Sequence, residues 1–166
     1  MKKLLFFGFL FVVFLLSLLL PTQVFRAKVI RVSVESQITE STAPYAGEIW
    51  GNPSGMTFFD GVTLDVYYSA NDDRIEGWCT MVMNRNISPD GTAQGHGTWE
   101  LHPEAYPNGH WDGTFTASID SEGVMHVRMR GKGYGTLDGL TYSGYLDGNM
   151  MSVIYGVISE LPTYIL

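Results

Sequence analysis

The stretch Gly131–Gly148, GKGYGTLDGLTYSGYLDG, decides how the rest of the chain reads. Six of its eighteen residues are glycine, yet Tyr134, Leu137, Leu140, Thr141, Tyr142, Tyr145 and Leu146 stand between them. A phosphate-gripping glycine loop must pass from a strand into a helix whose N-terminus holds the anion. Nothing after Gly131 carries a helical period, and no Gly-Lys-Ser/Thr occurs. A flexible linker would lack the leucines and tyrosines. Glycines inside β-forming sequence mark bulges, tight coiling, or places where a facing side chain needs room. Small closed barrels need such points to turn their corners. The stretch reads as barrel wall.

The neighbouring sequence has the same two-residue period. In GVTLDVYYSA, Val62, Leu64, Val66 and Tyr68 share one face while Thr63, Asp65, Tyr67 and Ser69 share the other. RIEGWCTMVMNRN places Ile75, Cys79, Met81 and Met83 together. HWDGTFTASID sets Trp111, Gly113, Phe115, Ala117 and Ile119 against Asp112, Thr114, Thr116 and Ser118. VMHVRMRGKG sets Met125, Val127 and Met129 against His126, Arg128 and Arg130. NDD at 71–73, SPDG at 88–91 and SEG at 121–123 are turn signals between these runs. The pattern predicts an all-β fold: a small antiparallel eight-stranded closed barrel, counted as eight to ten strands, preceded by one N-terminal apolar helix. KVIRVSVES reads as a further strand and QITESTAPYAG as a linker.

That N-terminal segment has Lys2 and Lys3 before seventeen uncharged, almost wholly apolar residues, Leu4 to Leu20, closed by Pro21. The run exceeds an ordinary signal-peptide core and approaches a membrane span. Residues 1–27 are therefore expected to be an export signal or a retained anchor crossing the membrane through 4–25, with length favouring the anchor. Residues 28–44 read as strand and linker, 45–160 as the barrel domain and 161–166 as a C-terminal tail. The body is expected outside the cytoplasm, tethered or, if 1–27 are cleaved, secreted. Without Lys2, Lys3 and Arg26 it holds seven basic against seventeen acidic residues, a formal charge of about −10. That balance disfavours phosphate backbones, so no nucleic acid is expected as partner. Cys79 is the only cysteine, which excludes an internal disulfide.

The runs RIEGWCTMVMNRNISPDGTAQGHGTWEL and GHWDGTFTASIDSEGVMHVRMRGKGYGTLDGLTYSG resemble a group of exported bacterial proteins. Their shared rhythm is a polar turn, R-x-x-G, an Asn-containing strand, DG, G-T-W/F, W-x-G-T and a late G-x-G-x-L-x-G-L. Their fold is similar to the allene oxide cyclase and dirigent barrels, of the calycin type. The resemblance covers about residues 45–160 and implies architecture; no catalytic residue carries over from it. It also implies that the domain can form a homo-oligomer.

Chemistry-bearing residues are sparse. The nearest histidine spacing is six residues, His96 to His102, which is poor for zinc. His102 and His110 flank the HPEAYPNG loop at one hairpin end. No metal or cofactor is expected. There is no G-x-S-x-G elbow. Glu100 with Asp112, and Asp65 with Glu76, fall on neighbouring strands, but alternation turns Asp65 and Asp112 toward water. Arg128 and Arg130 share a face with His126 and read as partners of nearby acids. Asn86-Ile87-Ser88 fits a glycosylation sequon.

An eight-stranded barrel is just wide enough to be packed solid or to hold one small ligand. The aromatic content favours packing. If a cavity is present, Trp78, Met81, Met83, Trp99, Phe115 and Tyr142 are its expected lining. The function expected is non-enzymatic binding of a small apolar or amphipathic ligand. The alternatives are an isomerase or cyclase of the allene oxide cyclase kind, and a structural or interaction module of the cell surface.

Overall fold

The computed structural model describes residues 28–37, 47–148 and 153–160. The apolar helix expected over residues 1–27 and the tail at 161–166 lie outside the described residues. Among those described, no helix is long and apolar enough to cross a membrane. All regular structure among the described residues is β: β1 (Val29–Gln37), β2 (Glu48–Gly51), β3 (Thr57–Ala70), β4 (Gly77–Ile87), β5 (Ala93–Pro103), β6 (Gly109–Ile119), β7 (Met125–Gly135), β8 (Leu140–Gly148) and β9 (Ile154–Glu160).

The nine strands form one antiparallel sheet in the order β1-β9-β8-β7-β6-β5-β4-β3-β2. The sheet also comes back on itself, because β1 pairs with β3 from Val34↔Ala70 to Gln37↔Tyr67. β3 thus has two partners along its free side: β1 near its C-terminus and β2 near its N-terminus, Glu48↔Asp60 to Gly51↔Thr57. The strand read as preceding the domain is a member of the sheet. Register against β4 shifts between Phe59 and Val62, where β3 carries one residue more than β4, as in a β-bulge.

Two hairpin turns show why their residues are needed. In the β4–β5 turn the Asp90 carboxylate accepts from the Thr92 N–H and hydroxyl, with Gly91 at φ +86°. In the β6–β7 turn Asp120 accepts from the Glu122 and Val124 N–H groups, with Gly123 at φ +80°. An aspartate fixing the backbone ahead of a left-handed glycine is a local device that needs no tertiary help.

Alternation then sorts the side chains. Val32, Val34, Val66, Tyr68, Cys79, Trp99, Leu101, Trp111, Phe115, Met129, Tyr142, Leu146 and Ile158 are buried on the inner face. At one end of the ring Ile75, from the β3–β4 loop, and Leu137, from the β7–β8 turn, are each only 1% exposed and plug the interior. Trp111 holds that plug by donating from Nε1 to the Arg74 carbonyl at 2.6 Å. Arg74 in turn grips Asp72 with two N–H donors, at 2.8 and 2.6 Å.

Large rings fit inside because the wall beside them is bare. Trp99 lies over Gly113 and Gly131, and a Cβ on either would overlap its indole. Phe115 lies over Gly97, and Tyr142 over Gly144 and Gly156. Two glycines of the opening stretch are therefore seats for aromatic rings. Gly131→Val is expected to cost about 1–3 kcal/mol in urea unfolding, the ordinary penalty for overpacking. Gly51→Ala, whose new methyl would meet only the Met56 carbonyl oxygen at 3.5 Å, should change stability by under about 0.5 kcal/mol. Equal effects at the two positions would refute the seating argument.

Candidate functional site

Of the six residues expected to line an interior site, three meet in the core. Trp99 and Tyr142 pack edge to face with centroids 5.8 Å apart, and Phe115 is buried with them. Met81 and Met83 are half-buried against the same cluster. Trp78 is not inside. Its parity is opposite to that of Cys79, so it stands 49% exposed on the outer face, edge-on to Tyr67.

The core holds three polar tips. The Tyr68 hydroxyl faces the sulfurs of Met81 and Met129 at 3.9 and 4.0 Å, with the Cys79 thiol and the Tyr142 hydroxyl close by. Burial raises the Tyr68 and Tyr142 hydroxyls above their ordinary range and pushes the Cys79 thiol up to about 12. All three remain neutral at neutral pH. Among the described residues no charged side chain is fully buried.

The other end of the ring is different. Beyond Met81 and Met83, β4 turns Arg85 toward the interior, beside Gly95 of β5. Its guanidinium lies over the Phe59 ring at 4.6 Å, the only partner it has among the described residues. Nε is shielded from solvent and makes no hydrogen bond. Burial lowers its pKa. Half-buried Met83, Ala117, Met125 and Val127 continue the inner face at this end. An arginine half out of water without a carboxylate, in a chain of formal charge −7, is the least compensated group described.

The outer face carries a second constellation. Glu100 pairs directly with Asp112 across β5 and β6. One step on, His102 stacks on His110 at 5.7 Å, and His110 stacks on Tyr134 at 5.1 Å and 12°. His102 Nε2 is 2.8 Å from Glu100, and His110 Nε2 is 3.8 Å from Asp112. Further round, His126 lies between Asp147 at 2.8 Å and Asp120 at 3.3 Å, and Arg128 bridges to Asp147 at 3.0 Å. Arg128 thus has the acid partner expected of it. Asp65 accepts from the Thr80 hydroxyl at 2.7 Å, on the outer side as alternation implies.

Compared with known protein families, curated proteins and solved structures, the chain matches none.

Sequence reasoning missed Arg85, although the signal was present. Extending the Cys79, Met81, Met83 parity by two residues puts an arginine inside. His102 and His110, read as flanking one hairpin end, do meet there, but the convergence of His110 with Glu100 and Asp112 was not foreseen.

Two outcomes follow from these environments. Donation to the Asp147 carboxylate and then to that of Asp120 raises the His126 pKa above its ordinary 6.5. The folded state therefore holds that proton more tightly than the unfolded chain does. The stability it confers is complete below about pH 6.5 and lost as pH rises through the higher folded value. NMR titration should show His126 above 6.5 and Asp147→Asn bringing it down; an unmoved midpoint would refute the pairing. Cys79 should resist thiol reagents at pH 8 until the chain unfolds, labelling in step with global unfolding. Rapid native labelling would show that the core is open.

Proposed function

We propose that the chain is a non-enzymatic, exported binding domain: an eight-stranded closed barrel of β1 and β3–β9, with β2 laid alongside β3. It takes an amphipathic anion, with Arg85 meeting the head group and the inner face beside it meeting the apolar part. The sequence rhythm shared with allene oxide cyclase and dirigent barrels supports the architecture, as do the β1–β3 pairing and the ring-on-glycine interior. The apolar run at residues 4–20, after two lysines, supports placing the body outside the cytoplasm, tethered or released.

One observation carries the ligand reading: Arg85 points inward with a shielded, unbonded Nε and, among the described residues, no carboxylate beside it. Desolvating a guanidinium is costly unless an anion repays it, and arginine matches carboxylate bidentately. The middle of the interior is occupied by Trp99, Trp111, Phe115 and Tyr142. A ligand therefore has its place at the Arg85 end, among Met83, Ala117, Met125 and Val127. A cyclase reading draws less support, because the buried Tyr68, Cys79 and Tyr142 tips are held neutral within packed side chains.

The test uses a fluorescent medium-chain fatty acid and its methyl ester. The protein should bind the acid saturably and the ester about tenfold more weakly or less. Arg85→Met should abolish the preference while leaving unliganded stability no lower, since an uncompensated half-buried charge has been replaced by an apolar chain. Equal binding of acid and ester, or no binding of either, would overturn the proposal.

A further inference from the structure

We propose that Glu100, His102, His110 and Asp112 form a binding site for a divalent transition-metal ion, zinc foremost, on the outer face of the β5–β6 hairpin. The site is independent of the Arg85 end, because it lies on the opposite side of the wall.

Register builds it. Glu100 and Asp112 are directly opposed, an arrangement that costs stability when two carboxylates have nothing between them. Lys132 is the neighbour of Asp112 on β7, yet its ammonium sits over the Tyr134 ring, 5.2 Å from the centroid. Among the described residues neither carboxylate has a lysine or arginine within ion-pair distance; each has an imidazole. The two acids and His110 thus bring three donors together, with His102 beside Glu100.

The distances suit one ion. Ligating atoms of Glu100, His110 and Asp112 all lie within 4.8 Å of one another. Bonds of about 2.0–2.2 Å place neighbouring donors roughly 3–4 Å apart around a tetrahedral ion. Small rotations of exposed side chains close that gap. His102 Nε2, 2.8 Å from Glu100, lies outside that triad and would complete it by rotating inward. The stack of Tyr134 on His110 fixes the plane of that imidazole before any ion arrives, as outer partners of ligating histidines do. Two nitrogens with two carboxylate oxygens suit zinc, copper or nickel; calcium and magnesium prefer all-oxygen sites.

The experiment takes the full-length chain in mild detergent, stripped with chelator, and titrates it with zinc alone by calorimetry and with cobalt by visible absorption. The expected result is one saturable site and cobalt bands of low-symmetry coordination. His110→Ala and the isosteric Asp112→Asn should each weaken zinc by about tenfold or more. His96→Ala and His126→Ala should leave it unchanged. Zinc should raise the thermal midpoint of the parent and not of His110→Ala. No saturable binding, binding undiminished in both His110→Ala and Asp112→Asn, or loss in His126→Ala instead would each overturn the assignment. Unaltered circular dichroism of the outward-facing variants separates lost ligation from lost folding.

Discussion

Everything inside this fold depends on aromatic rings lying flat against glycine. A ring of about eight strands encloses room for side chains and little more. Into that room the sequence places two tryptophans, a phenylalanine and two tyrosines, each of which buries roughly 150–250 Å². They fit because Trp99 spans the bare backbones of β6 and β7, Tyr142 those of β8 and β9, and Phe115 that of β5. Each ring reaches sideways onto a neighbouring strand, so it fills the interior and holds adjacent strands in register together. The edge contacts of Tyr142 with Trp99 and Trp111 then link the pairs into one cluster.

That packing is uneven along the axis. At one end Ile75 and Leu137 come in from loops and are sealed by the Trp111–Arg74 hydrogen bond. Toward the other, one inner row sets Arg85 level with Gly95, Ala117 and Val127, three small or medium residues beside one charge. The same parity that buries Cys79 carries Arg85 inward. A strand cannot turn one residue out without a bulge, and β4 has continuous pairing with β5 from Gly77 to Ile87. The arginine is therefore held where it is by the register of the whole strand.

The strand pattern was legible because period two and turn chemistry are local. Val62 to Tyr68 and Trp111 to Ile119 face as alternation says they must, and SPDG and SEG turn through their own aspartates. The β1–β3 pairing was not legible, since it joins residues some thirty apart across a stretch without pattern. Trp78 misled because a tryptophan suggests burial, whereas its strand position places it outside opposite His102. The hairpin that pairs Glu100 with Asp112 and His102 with His110 was legible; the convergence of Glu100, His110 and Asp112 on one point was not, because it depends on side-chain rotamers that strand spacing does not set.

Charge is divided by the wall as strictly as apolar surface is. The acids of β5, β6 and β8 project outward, and three of the four histidines lie on acids: His102 on Glu100, His110 on Asp112, His126 on Asp147 and Asp120. Lysine or arginine would give each carboxylate a fixed counter-charge; imidazole gives one that depends on protonation or on a shared cation. Only Arg128, beside Asp147, adds a permanent partner to these clusters. An acidic surface balanced mainly by histidine is stabilised by whatever cation is present, proton or metal. Among the described residues the inner face has the reverse arrangement, one permanent cation, Arg85, without an anion beside it, so the two ligands proposed for the two sides of the wall are of opposite charge.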